Sequence, residues 1–163
     1  MISLDTSLRH MAWADHTFLT ALAELDDSVL ALTNGDPDWS VGEAAAHILG
    51  GVEWYRYLLL GAQWQGFAAA TSSADVIALR DALKPMNESL IDAAAVPDEL
   101  ISWTDDDGPH QAPKSVVLSQ APYHAAEHRA QITAALHAHG IRDIHLDNFD
   151  VWAWYAVAQK HPN

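Results

Sequence analysis

Residues 114–140 read KSVVLSQAPYHAAEHRAQITAALHAHG, and their spacing predicts one long helix from Lys114 to His139. Val117, Ala121, His124, His128, Ile132 and Ala135 recur at three- and four-residue steps, the mark of a single helix face turned toward a core. Gly140 follows as a C-cap. Residues four apart differ by about 40° in azimuth, so the imidazoles of His124 and His128 project from the same side of this helix. Neutral imidazole nitrogen is a common ligand for zinc, copper, nickel and iron. Pro122, two residues before the pair, frees a carbonyl one turn earlier and is expected to bend the helix near it.

Working outward, the rest of the chain divides into further helical blocks at proline, glycine and turn residues. Ser40-Val41-Gly42-Glu43 has capping-box spacing, which predicts a second helix running to Leu60 or Gly61. Its inward stripe reads Ala44, His47, Gly51, Trp54 and Leu58. Before it, Leu4, Leu8, Met11, Phe18, Leu22, Leu25 and Val29 predict a first helix from Asp5 to Leu32. Asp15 falls on that apolar stripe. A carboxylate there either needs a buried partner or drifts to the edge and meets water. A third helix is expected from Ala74 to Ala95, capped by Ser73, with Ile77, Leu83, Met86, Leu90 and Ala94 facing in and a kink or break at Pro85. Leu100 to Trp103 suggests a short strand, followed by a turn at Asp105 to Pro109. Asp150 to Gln159 forms a short last helix whose aromatic face, with Trp152, Trp154 and Tyr155, is a lid on the bundle or a dimer surface. The expected fold is all-α: one domain over residues 1–163, a four-helix bundle with a short C-terminal helix.

Composition narrows the function. The 163 residues carry 8 Lys and Arg against 22 Asp and Glu, a net charge of −14. Phosphate binding needs clustered cations, so nucleic acid is not an expected partner. Val52 to Ala70, the longest apolar-leaning stretch, is broken by Glu53, Arg56, Gln63 and Gln65 and is too polar to span a membrane. Met1 to Arg9 lacks the basic-then-apolar pattern of a signal peptide. With no cysteine, disulfides, thiolate metal sites and cysteine nucleophiles drop out. A soluble, cytoplasmic protein is expected.

The ten histidines are the unusual feature. A tight site needs more than the helical pair, and His47, on the apolar stripe of another helix, is the natural third ligand. Chance alone can give an i,i+4 pair among ten histidines. His10, His16, His110, His137, His139, His145 and His161 are assigned to the surface, whereas His47, His124 and His128 share apolar stripes, where uncoordinated imidazoles would be costly. The segment His124-x-x-Glu127-His128 also matches an inverted zinc-peptidase motif. Only 35 residues follow His128, too few for that architecture. Glu127 is then a base beside the site or a solvated helix residue.

Three segments carry a family resemblance: Met11-Ala-Trp13-Ala-Asp15, Ala46-His47-Ile48-Leu49 with Glu53-Trp54, and His124-Ala-Ala-Glu-His128-Arg129-Ala-Gln131-Ile132. The last is similar to the H-x-x-x-H-R-G-Q pattern of the DinB/YfiT-like superfamily, with Ala130 in place of the glycine. The chain resembles that superfamily over nearly its whole length. The resemblance implies an up-down-down-up bundle, a three-histidine centre for a divalent ion on His47, His124 and His128, and a homodimer. It also implies a metal-dependent transferase in which a low-molecular-weight thiol cosubstrate is activated to attack an electrophilic small-molecule substrate. Imidazole ligands suit zinc or nickel, and iron as well. Asp15 and Gln131 are candidate catalytic residues, holding water or bonding near the metal; Gln131 also reads as an ordinary polar flank. Trp13, Trp54 and Tyr123 line a substrate pocket or are plain core. Arg129 clamps an acidic substrate or forms a surface salt bridge. A non-catalytic metal-binding or stress-response protein, or a metal-dependent hydrolase, are the alternative functions.

Overall fold

The computed structural model describes residues 4–160, so His161 lies outside the described residues. Four long helices, α1 (Leu4–Ala23), α2 (Val41–Leu60), α3 (Ser73–Ala94) and α4 (Lys114–Ala138), form the all-α bundle, and a short α5 (Val151–Lys160) follows. α1 packs along α3 and α4, and α2 along α4 and α3, so the order around the bundle is α1–α3–α2–α4. Leu8, Met11, Phe18, Ile48, Leu49 and Leu118 are fully buried between them. Phe149, just before α5, closes one end by packing edge-on against Phe18 at 5.2 Å.

Local chemistry sets the helix ends. The Ser40 hydroxyl accepts from the Glu43 N–H at 3.2 Å while the Glu43 carboxylate accepts from the Ser40 N–H at 2.7 Å, the reciprocal box that starts α2. α3 starts the same way on Ser72 and Asp75, one residue earlier than the expected cap at Ser73. The buried stripe of α3 runs through Val76 and Leu79 and leaves Ile77 exposed, contrary to the sequence expectation. The helix is also unbroken at Pro85. Asp81, whose carbonyl loses its partner to the proline, is exposed along with Pro85, so water can satisfy it. α4 likewise continues through Pro122.

The first helix is shorter than its apolar spacing suggests. It stops at Ala23, and a 3-10 turn covers Asp27–Ala31. Asp26 accepts from the Ser28 N–H at 2.9 Å, and short polar side chains of this kind draw backbone donors away from a continuing helix. Between α3 and α4 the chain makes a hairpin, β1 (Leu100–Asp105) paired antiparallel with β2 (Gly108–Pro113). The second strand carries two prolines and little apolar character, so its pattern is silent in the sequence. Three of the histidines assigned to the surface are half-buried instead: His10 and His137 each place Nε2 on a backbone carbonyl, of Phe149 and Ile144, and His110 places Nε2 on Asp105 Oδ1. Among the described residues no helix is long and apolar enough to cross a membrane.

The segment 61–72, between α2 and α3, is neither helix nor strand for most of its length, yet it is pinned at two places. The buried Glu53 carboxylate accepts the N–H of Gln65 at 2.6 Å and of Gly66 at 3.0 Å. Ala70 donates its N–H to the Gly42 carbonyl at 3.1 Å. A Cβ on Gly42 would run into the Ala70 carbonyl, so glycine permits this contact.

Candidate metal centre

α2 and α4 carry His47, His124 and His128 to a common point. One ring nitrogen from each lies within 4.8 Å of the others. Ring centroids are separated by 5.0 Å between His47 and His124, 4.6 Å between His47 and His128, and 4.3 Å between His124 and His128. Burial is graded: His128 is buried, His124 half-buried and His47 exposed. His47 therefore does not lie on the inward stripe of α2 that the spacing predicts. The core face of α2 is Val41, Ala44, Ala45, Ile48, Leu49 and Val52, and His47 sits at its edge, facing the seam with α4.

The Nε2 atoms of His124 and His128 stand 3.1 Å apart. Two imidazoles bound tetrahedrally to zinc at about 2.0–2.1 Å hold their nitrogens about 3.3 Å apart, so this spacing fits a shared ion. His128 Nδ1 lies 2.8 Å from Gln131 Oε1. An amide oxygen only accepts, so Nδ1 carries the proton and the Nε2 lone pair is left for the metal, as second-shell partners arrange at histidine sites. Gln131 Oε1 also accepts from Trp39 Nε1 at 3.0 Å, which fixes the amide's orientation. Trp39 in turn packs on the rings of His47 at 5.0 Å and His128 at 5.6 Å.

Electrostatics favours neutral ligands. Burial, then electrostatic repulsion between its protonated form and the neighbouring His128, holds His47 below the usual histidine range. Burial, then His128 and His47, pushes His124 down to about 4. At neutral pH both keep a free lone pair. Burial also raises the Tyr55 phenol to about 12, so this neighbour of His124, with rings 6.1 Å apart, stays protonated.

Gly51 is what lets α2 approach. A Cβ built there would lie 3.0 Å from His124 Nε2 and closer still to Cε1 and Nδ1. The ring of His124 occupies the space that any other residue at position 51 would fill.

Beside the cluster opens a cleft of about 520 Å³. Trp39, Trp54, Tyr55, Trp64 and Phe67 form its walls, with Gly50 and Gly51 on its floor. The outer wall is the segment held by Glu53, so that carboxylate positions Trp64 and Phe67.

The other candidate residues separate. Trp54 lines this cleft, but Tyr123 does not and is 78% exposed. Trp13 lines a different cleft, between α1, α3 and α5. Arg129 is neither a clamp in the pocket nor a surface residue. It is buried and donates from its Nη1 to Asp15 Oδ1. Asp15 therefore has the buried partner that its position requires, and it acts on α4 by holding Arg129 beside His128. Burial pushes the Asp15 carboxyl above the usual carboxylate range, against the pull of the guanidinium. Glu127 is exposed.

Trp39, Tyr55, Trp64 and Phe67 escaped the sequence reading. Only Trp39 left a signal: an aromatic residue just before an N-cap is placed to pack back on its helix, here on the turn that carries His47.

The model of the DinB family matches residues 1–159. No curated protein and no solved structure matches the chain. A match over nearly the whole length places the chain in that family: it belongs to the DinB family.

Proposed function

We propose that this DinB-family protein is a metal-dependent enzyme that transfers a low-molecular-weight thiol to an electrophilic small molecule. The reading is carried by one observation: among the described residues the group that could hold an ion has three members, His47, His124 and His128, and it borders an aromatic cleft. A structural zinc site is closed by four protein ligands, whereas a catalytic one keeps a position open. Zinc or nickel suits the imidazole set, and iron is chemically acceptable. When bound, a divalent ion with three uncharged ligands supplies Lewis acidity that lowers the pKa of a thiol or water beside it.

The chain's own groups supply the rest. Gln131 keeps the Nδ1 proton on His128 and so directs Nε2 inward. Gly51 seats His124, and Trp39 braces His47 and His128. The aromatic walls offer an apolar surface beside the reacting atoms, and the Tyr55 hydroxyl remains a donor. In the proposed reaction the thiol S–H gives its proton to solvent. Its sulfur forms a bond to the electrophilic carbon, and the leaving group departs with the bonding electrons. We place the protein in the cytoplasm as a homodimer, with the outer face of α5 as the contact: Trp152 is 80% exposed and Tyr155 54% exposed there.

The test is elemental analysis of purified wild type beside His124→Ala, followed by a thiol-consumption assay with a panel of electrophiles. Stoichiometric metal in the wild type, its loss in the variant and metal-dependent thiol consumption are expected. Equal metal in both proteins, or thiol loss no faster than background, overturns the proposal.

A further inference from the structure

We infer that the cleft beside the three histidines takes a small molecule with an uncharged, ring-bearing body and a single donor head turned to the metal, and that it rejects bodies carrying a further carboxylate or phosphate. The donor head rests on the metal-dependent reading above. The character of the body rests on the walls alone.

Those walls are aromatic on three sides. Trp39 and Tyr55 rise from the histidine side, and Trp54 meets Trp64 edge to face at 6.1 Å. Phe67 completes the rim. The volume of about 520 Å³ lies in the range of small-ligand sites and suits a one- or two-ring body. Flat apolar bodies gain both burial and ring contact in such a setting.

Charge is what narrows the class. Among the described residues no Lys or Arg lines the cleft, and its one acidic side chain is Glu43, already committed to the Ser40 N–H. The chain's few cations point elsewhere. Arg129 is sealed against Asp15, Arg56 donates to Ser89 Oγ at 2.9 Å, and Arg9, Arg80 and Lys84 gather in the cleft between α1, α3 and α5. An anionic group on the body of a ligand would leave water without meeting a partner, and would do so near a carboxylate. A metal ion can answer one donor only at its own position. The site is thus matched to neutral bodies, and a thiol rich in carboxylates fits it poorly.

The test uses p-cresol and 4-hydroxybenzoate, close in size and differing by a carboxylate. Each is titrated into the metal-free full-length protein labelled with ¹⁵N-tryptophan. The indole signals of Trp39, Trp54 and Trp64 report on this cleft, and those of Trp13 and Trp154 on the cationic one. We expect p-cresol to shift the first set with a Kd at least tenfold below that of 4-hydroxybenzoate, and Trp64→Ala to weaken it. Comparable or tighter binding of the carboxylate at Trp39, Trp54 and Trp64 overturns the inference, as does the lack of any p-cresol shift at these three up to its solubility. Because the protein is metal-free, the outcome is independent of whether the loaded protein consumes thiol.

Discussion

Replacing Gly51 with Ala adds one carbon to α2 where the His124 ring already stands. The new Cβ would lie 3.0 Å from Nε2 and closer to two further ring atoms, whereas carbon contacts relax at about 3.5–4.0 Å. Relief demands a ring displacement on the order of 1 Å. Metal–ligand distances tolerate only about 0.2 Å, so the shift removes His124 from the cluster or pries α2 from α4. Loss of a supporting contact already costs roughly 10–100-fold in metal affinity, and a displaced ligand should reach at least the upper figure. Stability should change less, because alanine gains about 1 kcal/mol of helix propensity over glycine against about 1–3 kcal/mol of overpacking. Gly50→Ala is the matched control: its added Cβ meets nothing within 4 Å, so it should gain propensity and keep the metal. Competition for zinc against a chromophoric chelator measures both variants beside wild type, with circular dichroism to check the fold. Wild-type zinc affinity in Gly51→Ala would show that the ring of His124 does not need that space.

Three further outcomes are expected. With His124 held near 4 by burial and an unfolded histidine near 6.5, the unfolded chain binds the extra proton between those values. Stability of the metal-free protein should therefore rise with pH across that window and level off above it. Thermal melts from pH 4 to 8 should show a smaller slope in His124→Asn, and equal slopes would exclude His124 as the source. Asp15→Ala strands the buried Arg129 guanidinium and should cost about 3–5 kcal/mol in urea unfolding, while the pair Asp15→Leu with Arg129→Met should recover most of it; a neutral single variant would contradict the buried pair. Glu53→Ala removes the acceptor of two backbone N–H groups, so amide exchange at Gln65 and Gly66 should accelerate, by a local free energy of about 1.5–3 kcal/mol. Unchanged protection there would mean the wall is held by other contacts.

The bundle was legible because its signals are local. Capping at Ser40, the break at Asn34 to Asp38 and the long periodic run after Lys114 need no knowledge of the tertiary structure. What failed depends on neighbours. The apolar spacing through Val29 is real, but Val29 and Leu30 are buried from a separate 3-10 turn that Asp26 caps through the Ser28 N–H, after α1 has tightened through Glu24 and Leu25 and stopped. The spacing of His124 and His128 on one helix is a sequence property. Their meeting with His47 depends on how closely α2 approaches, which is set by a residue without a side chain, and a missing Cβ reads only as a weak helix position. The partnership of Asp15 with Arg129 crosses 114 positions of chain, so the sequence could say that Asp15 needed a partner but not which one. The cleft's outer wall comes from a segment without periodicity, and a carboxylate twelve residues away from Gln65 holds it.

All three imidazoles come from two adjacent helices, and α1 and α3 contribute none. A bound ion would rivet one seam of the bundle and leave the opposite seam to side-chain packing alone. Loading the protein should thus stiffen it unevenly, slowing amide exchange along α2 and α4 far more than along their partners. The half of the molecule remote from the chemistry would remain the first to open.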